Sequence, residues 1–319
     1  IDVQAEPVDR VITLDGAAFP ASAYERGDLV LVGEQDDEVP LGATHVDPGT
    51  IQVVSGRYDV HYRWRNGSSL VPRNENVRVR QAFRVNGPTT LALDIETIEV
   101  DFEFLLDGVP FPASAYERGD FTLIGETPGD RLPIGSSSEL QANVRIVPGS
   151  YDVEYDYVTG SSIVPRNQAQ IMETDLELLT TQARALEVET LVVVPTFLQN
   201  GLPFPESAAD RGEIRLSAPG GGVLPLGETD EVLPESVIAI QGAYRMEYGW
   251  LAGDDVPQNR RVALGYTFVP EPAVPAALAP GLLLLGRLRR RASRRGGARR
   301  GRARRWSGAG LVATDRTRY

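Results

Sequence analysis

The chain has 319 residues but no cysteine, no lysine and only two histidines, His45 and His61. Without cysteine no disulfide can form, and with no thiolate and only two histidines a zinc or redox site is not expected. The sequence also lacks the nucleophile elbow, the phosphate-binding P-loop and the H-E-x-x-H zinc motif. We therefore predict a protein that is not an enzyme and that has no cofactor.

Negative charge dominates most of the chain, and positive charge dominates its end. Residues 1–272 carry 19 arginines and 43 acidic residues, whereas residues 273–319 carry 13 arginines and a single acid, Asp315. A change of this size marks a boundary between an acidic body and a basic tail. Residues 292–319 are accordingly predicted to be a disordered basic tail.

One decapeptide occurs three times, twice unchanged and once with substitutions. FPASAYERGD occurs at residues 19–28 and 111–120, and FPESAADRGE occurs at residues 204–213. Four glycine landmarks recur with the same spacing of 92 or 93 residues: Gly16, Gly108 and Gly201; Gly27, Gly119 and Gly212; Gly56, Gly149 and Gly242; Gly67, Gly160 and Gly253. A unit of this length can hold a core of its own. We therefore predict three tandem domains, at residues 1–92, 93–185 and 186–268.

Apolar side chains alternate within each copy with a period of two. In YDVEYDY, Tyr151, Val153, Tyr155 and Tyr157 alternate with acidic residues. The equivalent strands of the other two copies keep apolar residues at the first set of positions, whereas the charge at the intervening positions changes sign. This pattern is typical of a strand with one buried face. Several such strands, separated by Gly, Pro, Asn and Asp, predict an all-β chain of three tandem antiparallel β-sandwiches of the prealbumin or immunoglobulin type.

The decapeptide contains the S-x-x-E/D pattern of a helix capping box, followed by a glycine. We interpret it as a one-turn helix at a crossing between two strands, in which the serine and the acid cap backbone N–H groups. It also supplies one arginine per copy: Arg26, Arg118 and Arg211. These arginines are candidates either for a structural pair with a carboxylate or carbonyl, or for a ligand site that holds a sugar or a carboxylate.

Two further stretches recur. LVPRN, IVPRN and DVPQN end at Asn74, Asn167 and Asn259, and their proline and asparagine predict hairpin corners. SGRYDVHY, PGSYDVEY and QGAYRMEY place a glycine before an alternating strand. This stretch resembles the PG-x-Y-x-V corner of carboxypeptidase-regulatory, transthyretin-like modules of surface and secreted proteins. The resemblance implies a prealbumin-like sandwich with a non-catalytic role.

Acidic runs and one arginine cluster supply further candidate ligand groups. EQDDE (34–38), GETPGD (125–130) and GETDE (227–231) carry carboxylates in turn-like segments, and such oxygen ligands suit calcium. Calcium therefore stands as an alternative to plain solvated loops. The first copy also concentrates arginines, at Arg57, Arg63, Arg65, Arg73, Arg78, Arg80 and Arg84. They predict either a solvated sheet face or contact with an acidic polymer or a neighbouring acidic domain.

The residues after the third copy have a three-part order. Pro270, Glu271 and Pro272 precede an apolar run that ends in Leu282, Leu283, Leu284 and Leu285, and the basic cluster Arg287, Arg289, Arg290 and Arg291 follows. This order, over residues 269–291, resembles the PEP-CTERM sorting signal of exported Gram-negative proteins. The resemblance implies recognition of Pro-Glu-Pro by an exosortase-type processing enzyme, a transient inner-membrane segment at the leucines, and a cytoplasmic stop at the arginines. The short, proline-containing apolar run and the 28 residues after the arginines depart from the family.

These patterns together predict an exported, non-enzymatic structural or adhesive protein of the cell surface or extracellular matrix. An extracellular polysaccharide is a candidate partner, and a carbohydrate- or calcium-binding module is the alternative function. A second alternative is binding of nucleic acid or an acidic membrane through the arginine-rich tail, without sequence preference. No specific nucleic acid is expected.

Overall fold

The computed structural model describes residues 3–47, 49–67, 70–139, 141–160, 163–231, 236–269 and 312–313. Within these residues the regular elements are β-strands, apart from a 3-10 turn at Ser137–Glu139. The strands form the same two-sheet arrangement in the first two copies and a reduced version of it in the third. The predicted all-β sandwich class is therefore confirmed.

Eight strands build the first copy. They are β1 (Ala5–Leu14), β2 (Ala17–Ala18), β3 (Arg26–Gly33), β4 (Glu38–Ala43), β5 (Ile51–Val54), β6 (Gly56–Asn66), β7 (Val77–Val85) and β8 (Thr89–Ile95). One sheet has the order β4-β3-β6-β7 and is antiparallel throughout. In the other sheet, β1 pairs antiparallel with β2 and β5 and parallel with β8.

The second copy repeats this plan. Its strands are β9 (Ile98–Leu106), β10 (Val109–Pro110), β11 (Arg118–Gly125), β12 (Arg131–Ser136), β13 (Gln141–Ile146), β14 (Gly149–Thr159), β15 (Gln170–Leu178) and β16 (Gln182–Val188). The antiparallel sheet has the order β12-β11-β14-β15. In the other sheet, β9 pairs antiparallel with β10 and β13 and parallel with β16.

The third copy keeps one sheet whole and shortens the other. Its strands are β17 (Thr190–Val194), β18 (Leu198–Gln199), β19 (Leu202–Pro203), β20 (Arg211–Ser217), β21 (Val223–Glu228), β22 (Val237–Ile240), β23 (Gly242–Ala252) and β24 (Val262–Val269). The full sheet has the order β21-β20-β23-β24, while β17 pairs with β22 and with β25 (Val312–Ala313). Among the described residues, no strand pairs in parallel with β17 as β8 and β16 pair with β1 and β9.

The two sheets of a copy enclose its hydrophobic core. In the first copy the core contains Tyr58, Val60 and Tyr62 from β6, packed with Val8 and Leu91 from the opposite sheet. The alternation read from the sequence therefore points these side chains inward, as predicted. Each such side chain contributes about 1.5–3 kcal/mol when fully buried.

The predicted boundaries at residues 92/93 and 185/186 fall inside β8 and β16. Each of these strands pairs in parallel with the first strand of the preceding copy, from Val8↔Thr89 to Leu14↔Ile95 in the first case. This pairing places the joints about four residues later, at residues 96–97 and 189, and adds a parallel pair to the predicted antiparallel sandwich. No glycine or proline marks either joint, so the repeat spacing alone did not locate them.

Candidate functional site

The decapeptide forms a turn rather than the predicted one-turn helix. The carbonyl of Ser22 accepts the N–H of Glu25 at 3.3 Å, and its Oγ accepts the N–H of Tyr24 at 3.1 Å. The Oγ atoms of Ser114 and Ser207 accept the corresponding N–H groups in the other copies. The serine thus caps the turn, but among the described residues no α-helix follows it.

The acid of the decapeptide holds a distant loop. Glu25 Oε2 accepts the N–H of Leu70 at 3.3 Å. Asp210 Oδ1 accepts the N–H groups of Asp254 and Asp255 at 3.0 and 3.2 Å. The helix prediction was wrong because the acid finds backbone donors about 45 residues away and the chain passes directly into a strand.

The glycine of the decapeptide lies under a tyrosine ring. A Cβ at Gly27 would lie 2.3 Å from the ring of Tyr62, and the ring of Phe19 stacks on the same tyrosine with centroids 6.5 Å apart. The other copies repeat this arrangement with Gly119, Phe111 and Tyr155, and with Gly212, Phe204 and Tyr248. Phenylalanine and glycine recur because both pack on this buried ring.

The same tyrosine fixes the VPxN stretch. Tyr62 donates its hydroxyl to the carbonyl of Pro72 at 3.0 Å, and the N–H of Trp64 donates to the carbonyl of Asn74 at 2.7 Å. The stretch joins the paired strands β6 and β7, as a hairpin corner should. The carbonyls of Pro72 and Asn74 are thus held within the first copy, which leaves the side chain of Asn74 to contact the second copy.

Asn74 clamps the second copy to the first. Its Oδ1 accepts the N–H of Val147 at 2.9 Å, and its Nδ2 donates to Tyr151 Oη at 3.0 Å and to Asp130 Oδ2 at 3.1 Å. The N–H of the preceding Arg73 donates to the carbonyl of Arg145 at 3.0 Å. Asn74 is 0% exposed, so the clamp is a buried, fully used amide between two copies.

Asn167 makes the same clamp between the second and third copies. Its Oδ1 accepts the N–H of Ile240 at 2.8 Å, and its Nδ2 donates to Tyr244 Oη at 2.9 Å. The N–H of Arg166 donates to the carbonyl of Ile238 at 3.0 Å. Ile240 also joins the hydrophobic core of the second copy. Both joints therefore share the asparagine contacts to a backbone N–H and a tyrosine hydroxyl, and in both an apolar side chain, Val147 or Ile240, packs on the preceding core. They differ in one contact, because Asn167 Nδ2 reaches Gln170 Oε1 of its own copy at 3.4 Å where Asn74 Nδ2 reaches Asp130 of the next copy.

A second tie holds the connecting peptide at each joint. Asp15 accepts the N–H of Thr97 and its hydroxyl, both at 2.7 Å. Asp107 accepts the N–H and the hydroxyl of Thr190 at the same distances. Each joint is thus fastened at two separate places, the asparagine clamp and this aspartate–threonine pair.

Burial raises the pKa of three groups at the clamps. It raises the pKa of the Tyr151 hydroxyl well above its ordinary value and that of Tyr244 to about 12. A phenol of ordinary pKa already keeps its proton at neutral pH, and both hydroxyls donate to backbone carbonyls, those of Val147 and Ile240. Burial also raises the pKa of Asp130, although hydrogen bonds from Asn76 and Asn74 act in the opposite direction.

The three repeated arginines do not form one site. Arg26, Arg118 and Arg211 begin β3, β11 and β20, which lie in three different sheets, and each is half-buried. Arg211 Nε lies 3.2 Å from Glu228 Oε2 within its own copy. Their role as ligand groups stays a prediction.

The arginine cluster of the first copy is partly paired within that copy. Arg63 forms a two-pronged pair with Glu38, with contacts of 2.9 and 2.5 Å. Arg65 lies 2.7 Å from Asp28, and Arg78 lies 3.4 Å from Asp59 on the same sheet. The described residues contain no group of three or more acidic or histidine side chains placed to hold a metal ion. Calcium binding stays a prediction.

The predicted sorting signal lies outside the described residues. This applies to Pro270, Glu271 and Pro272, to the leucines 282–285 and to the arginines 287–291. Among the described residues, no helix is long and apolar enough to span a bilayer.

An apolar cavity of about 380 Å³ opens in the third copy. Phe197, Phe204, Met246 and Tyr248 line it. By the strand register, residues 195–199 correspond to residues 10–14, the half of β1 that pairs with β8 in the first copy. The cavity therefore lies beside the segment of the third copy that has no parallel partner strand among the described residues.

Comparisons with known proteins give only distant likenesses. No family model and no curated protein matches the chain. The Bacillus anthracis TIE protein aligns with 84% of this chain at 10% identity and a TM-score of 0.21, and the chain spans 49% of that protein's length. A candidate adhesin from Bacteroides ovatus aligns with 61% of this chain and 94% of its own, at 11% identity and a TM-score of 0.24. A candidate polysaccharide-binding protein from Bacteroides thetaiotaomicron aligns with 70% and 98%, at 10% identity and a TM-score of 0.23.

The asparagine and tyrosine of the clamp are the functional residues that sequence reasoning missed. The sequence predicts Asn74 and Asn167 as turn residues, and it places Tyr151 and Tyr244 on the apolar face of a strand. The one available signal was their recurrence in equivalent places. Their pairing across 77 residues is not visible in any local pattern.

Proposed function

We propose that the chain is a stiff, non-enzymatic structural or adhesive stalk built from three β-sandwich copies. The observation that carries the proposal is the clamp of Asn74 and Asn167, which ties each copy to the next through the same set of buried hydrogen bonds. Because both joints use an equivalent asparagine and tyrosine, each copy has a similar orientation relative to the preceding copy.

Two properties of the joints favour stiffness over hinge motion. The clamp asparagines are completely buried, and an amide that loses buried partners costs about 1–3 kcal/mol. The connecting peptide is only a few residues long and is anchored at Asp15 or Asp107. A flexible linker is instead long and rich in Gly and Ser. The joints therefore resist both bending and twisting.

What differs between the copies also supports a scaffold role. The position of His61 in β6 is taken by Glu154 in β14 and Glu247 in β23. Glu154 pairs with Arg131 and Glu247 with Arg215, each within its own copy. The residues that recur are those of the core, the turn and the joint. The polar face of this strand varies instead, at the buried position of His61 and also at Asp59, which Asp152 and the exposed Arg245 replace. A ligand site used three times would require recurrence on that face.

Distances between two spin labels measure the stiffness of a joint. The chain has no cysteine of its own, so each label attaches only to an introduced cysteine. Tyr24→Cys and Tyr116→Cys place labels at equivalent, well exposed positions of two adjacent copies, 77% and 83% exposed. The stalk predicts a narrow label-to-label distance distribution that broadens when Asn74→Ala is added. Asn259→Ala, outside this joint, serves as the control. A broad distance distribution in the labelled chain without Asn74→Ala would show that the two copies move independently and would contradict the proposal.

The adhesive form of the proposal has an extracellular polysaccharide as its partner class. A glycan array probed with the full chain, with and without calcium, tests it. Binding that disappears in an Arg26→Ala, Arg118→Ala, Arg211→Ala triple variant assigns the repeated arginines to a sugar site. Binding to no glycan leaves the spacer role, and a calcium-dependent shift in melting temperature would support the calcium-binding alternative.

Export and surface attachment belong to the same proposal. They depend on the order Pro-Glu-Pro, apolar run and arginines at residues 269–291, with an exosortase-type enzyme and the inner membrane as processing partners. Expression in a Gram-negative host with and without such an enzyme tests this step. Cleavage near Glu271 should appear in the mass of the mature chain only with the enzyme, and Glu271→Ala should abolish it. An unchanged mass in both hosts would remove the sorting step from the proposal.

A further inference from the structure

Among the described residues, the first and third copies each carry one half of the joint that contacts no other copy. The third copy presents an asparagine corner, Val256–Pro257–Gln258–Asn259, and the first copy presents a socket formed by Val54, Tyr58 and Asp37. We infer that the corner of one chain binds the socket of a second copy of this chain, so that the protein assembles head to tail.

The corner of the third copy has the shape of the two that are in use. The carbonyl of Asn259 accepts the N–H of Trp250 at 2.7 Å, the distance found between Asn74 and Trp64. Pro257 accepts the hydroxyl of Tyr248 at 2.8 Å, and Val256 is buried. Asn259 itself is exposed, and within the described residues its side-chain amide has no hydrogen-bond partner. The side-chain amide of Asn259 is thus held in the position that Asn74 and Asn167 have at the joints, and it is free to bind another surface.

The socket of the first copy is equally complete. Tyr58 donates its hydroxyl to the carbonyl of Val54 at 2.8 Å, as Tyr244 does to Ile240 at 2.7 Å. The N–H of Ser55 donates to the carbonyl of Gln4, the residue before β1, at 3.2 Å, so the alternation of an antiparallel ladder turns the N–H of Val54 away from β1. The acceptor site for an asparagine amide therefore faces outward.

Exposure separates this socket from the ones in use. Val54 is 49% exposed, whereas the equivalent Ile240 is 7% exposed and lies in the core of the preceding copy. Asp37 and Asp130 are equivalent, since their carbonyls accept the N–H groups of Gly33 and Gly125 at 2.8 and 2.9 Å. Asp37 is exposed, whereas Asp130 is 1% exposed. The socket therefore exposes an apolar side chain that is buried at the second joint and a carboxylate that is buried at the first.

The two halves also match in charge. The corner is followed by Arg260 and Arg261, both exposed, and the socket includes the acidic turn at residues 34–38. The assembled contact would place Asn259 Oδ1 on the N–H of Val54, and its Nδ2 on Tyr58 Oη and the Asp37 carboxylate. The arginines would then lie beside the acidic turn.

The second tie is weaker in this contact than within the chain. Asn200 stands where Asp15 and Asp107 stand, and Ala5 stands where Thr97 and Thr190 stand. The threonine hydroxyl and the aspartate charge are both lost. No peptide links the two chains, so the high effective concentration of a linked pair is also absent. We therefore expect reversible association that grows with protein concentration.

Sedimentation of the full chain across a range of concentrations tests the inference. High salt is used so that attraction between the basic tail and the acidic body is screened. Because the contact joins two different surfaces, the wild-type mass should rise beyond a dimer as concentration increases, as an open chain or a ring does. A mass that stays monomeric up to the solubility limit would overturn the inference.

Two single variants make the test specific for head-to-tail contact. Asn259→Ala removes the corner, and Val54→Pro removes the outward N–H of the socket. Each alone should remain monomeric. Their equimolar mixture should form heterodimers and nothing larger, because one intact corner and one intact socket remain. Tyr24→Phe and Asn143→Ala, at exposed positions elsewhere, should assemble like the wild type.

A folding check and a second socket variant keep the outcome clear. Val54→Pro must retain the wild-type circular dichroism spectrum, and Tyr58→Phe replaces it if it does not. Oligomers that persist in both single variants, or a dimer formed by each variant alone, would assign the association to a different surface and contradict the inference.

Discussion

The amide nitrogen of Asn74 lies 3.0 Å from the phenolic oxygen of Tyr151, and Asn167 lies 2.9 Å from that of Tyr244 in the same way. In each pair the two residues belong to consecutive copies and are 77 positions apart. The residues shared by all copies thus include the parts that join one copy to the next. Several consequences can be measured in solution.

Asn167→Ala should destabilise the joint between the second and third copies. The substitution leaves the N–H of Ile240 and the hydroxyl oxygen of Tyr244 without the amide that pairs with them, at a cost of about 1–3 kcal/mol. Denaturant unfolding measures the loss. The matched control is Asn259→Ala, an exposed equivalent whose effect should stay within about 0.5 kcal/mol. Equal losses in the two variants would show that the buried clamp contributes no more than an exposed corner.

Gly119→Ala should destabilise the second copy by overpacking. Its added Cβ would lie 2.3 Å from the ring of Tyr155, which is itself fully buried and unable to move aside. Such strain typically costs about 1–3 kcal/mol. Gly149→Ala is the control, because its Cβ would lie 3.5 Å from the nearest atom of Tyr151. A thermal melt of Gly119→Ala that matches the control would mean that the ring does not enforce glycine there.

Asp210→Ala should loosen the loop that precedes the third corner. Its carboxylate accepts the N–H groups of Asp254 and Asp255, and loss of a charged acceptor costs about 1.5–3 kcal/mol. Hydrogen exchange at these two amides should accelerate, while Glu206→Ala, an exposed acid of the same decapeptide, should leave them unchanged. Unaltered protection in Asp210→Ala would refute the scaffold role of the acid.

Asp130 and Asp94 should respond to pH with opposite signs. Burial raises the pKa of folded Asp130, so the stability it contributes is fully present below its unfolded pKa and is lost as pH rises through the folded pKa. Hydrogen bonds from Thr13 and Gly16 lower the pKa of folded Asp94, so its contribution is present above the unfolded pKa and is lost as pH falls through the folded one.

Melting temperatures between pH 7 and pH 3 separate the two groups. As pH falls, the wild type should gain stability relative to Asp130→Asn and lose stability relative to Asp94→Asn. Because each comparison cancels every other titrating group, the sign of the difference reports one carboxyl. A difference of the same sign for both variants would contradict the assigned environments.

The serine and the acid of the decapeptide differ in how far along the chain their hydrogen-bond partners lie. The S-x-x-E pattern correctly placed a serine cap at Ser22, because Ser Oγ and the N–H of Tyr24 are neighbours along the chain. It failed for Glu25, whose carboxylate accepts the N–H of Leu70 from another segment instead of the N–H of the cap. A carboxylate with a long side chain can find either local or distant donors, and sequence does not distinguish them.

The sequence by itself determined the number of copies, the strand period and the inward face of strands such as β6, because alternation along a strand is a local property of the backbone. Only the tertiary structure decided that β8 pairs in parallel with β1, which moved the boundary from residue 92 to residues 96–97. It also decided that Asn74 faces Tyr151 of the next copy. Such partners meet through the packing of whole sheets, and no short stretch of sequence encodes which surface will lie opposite another.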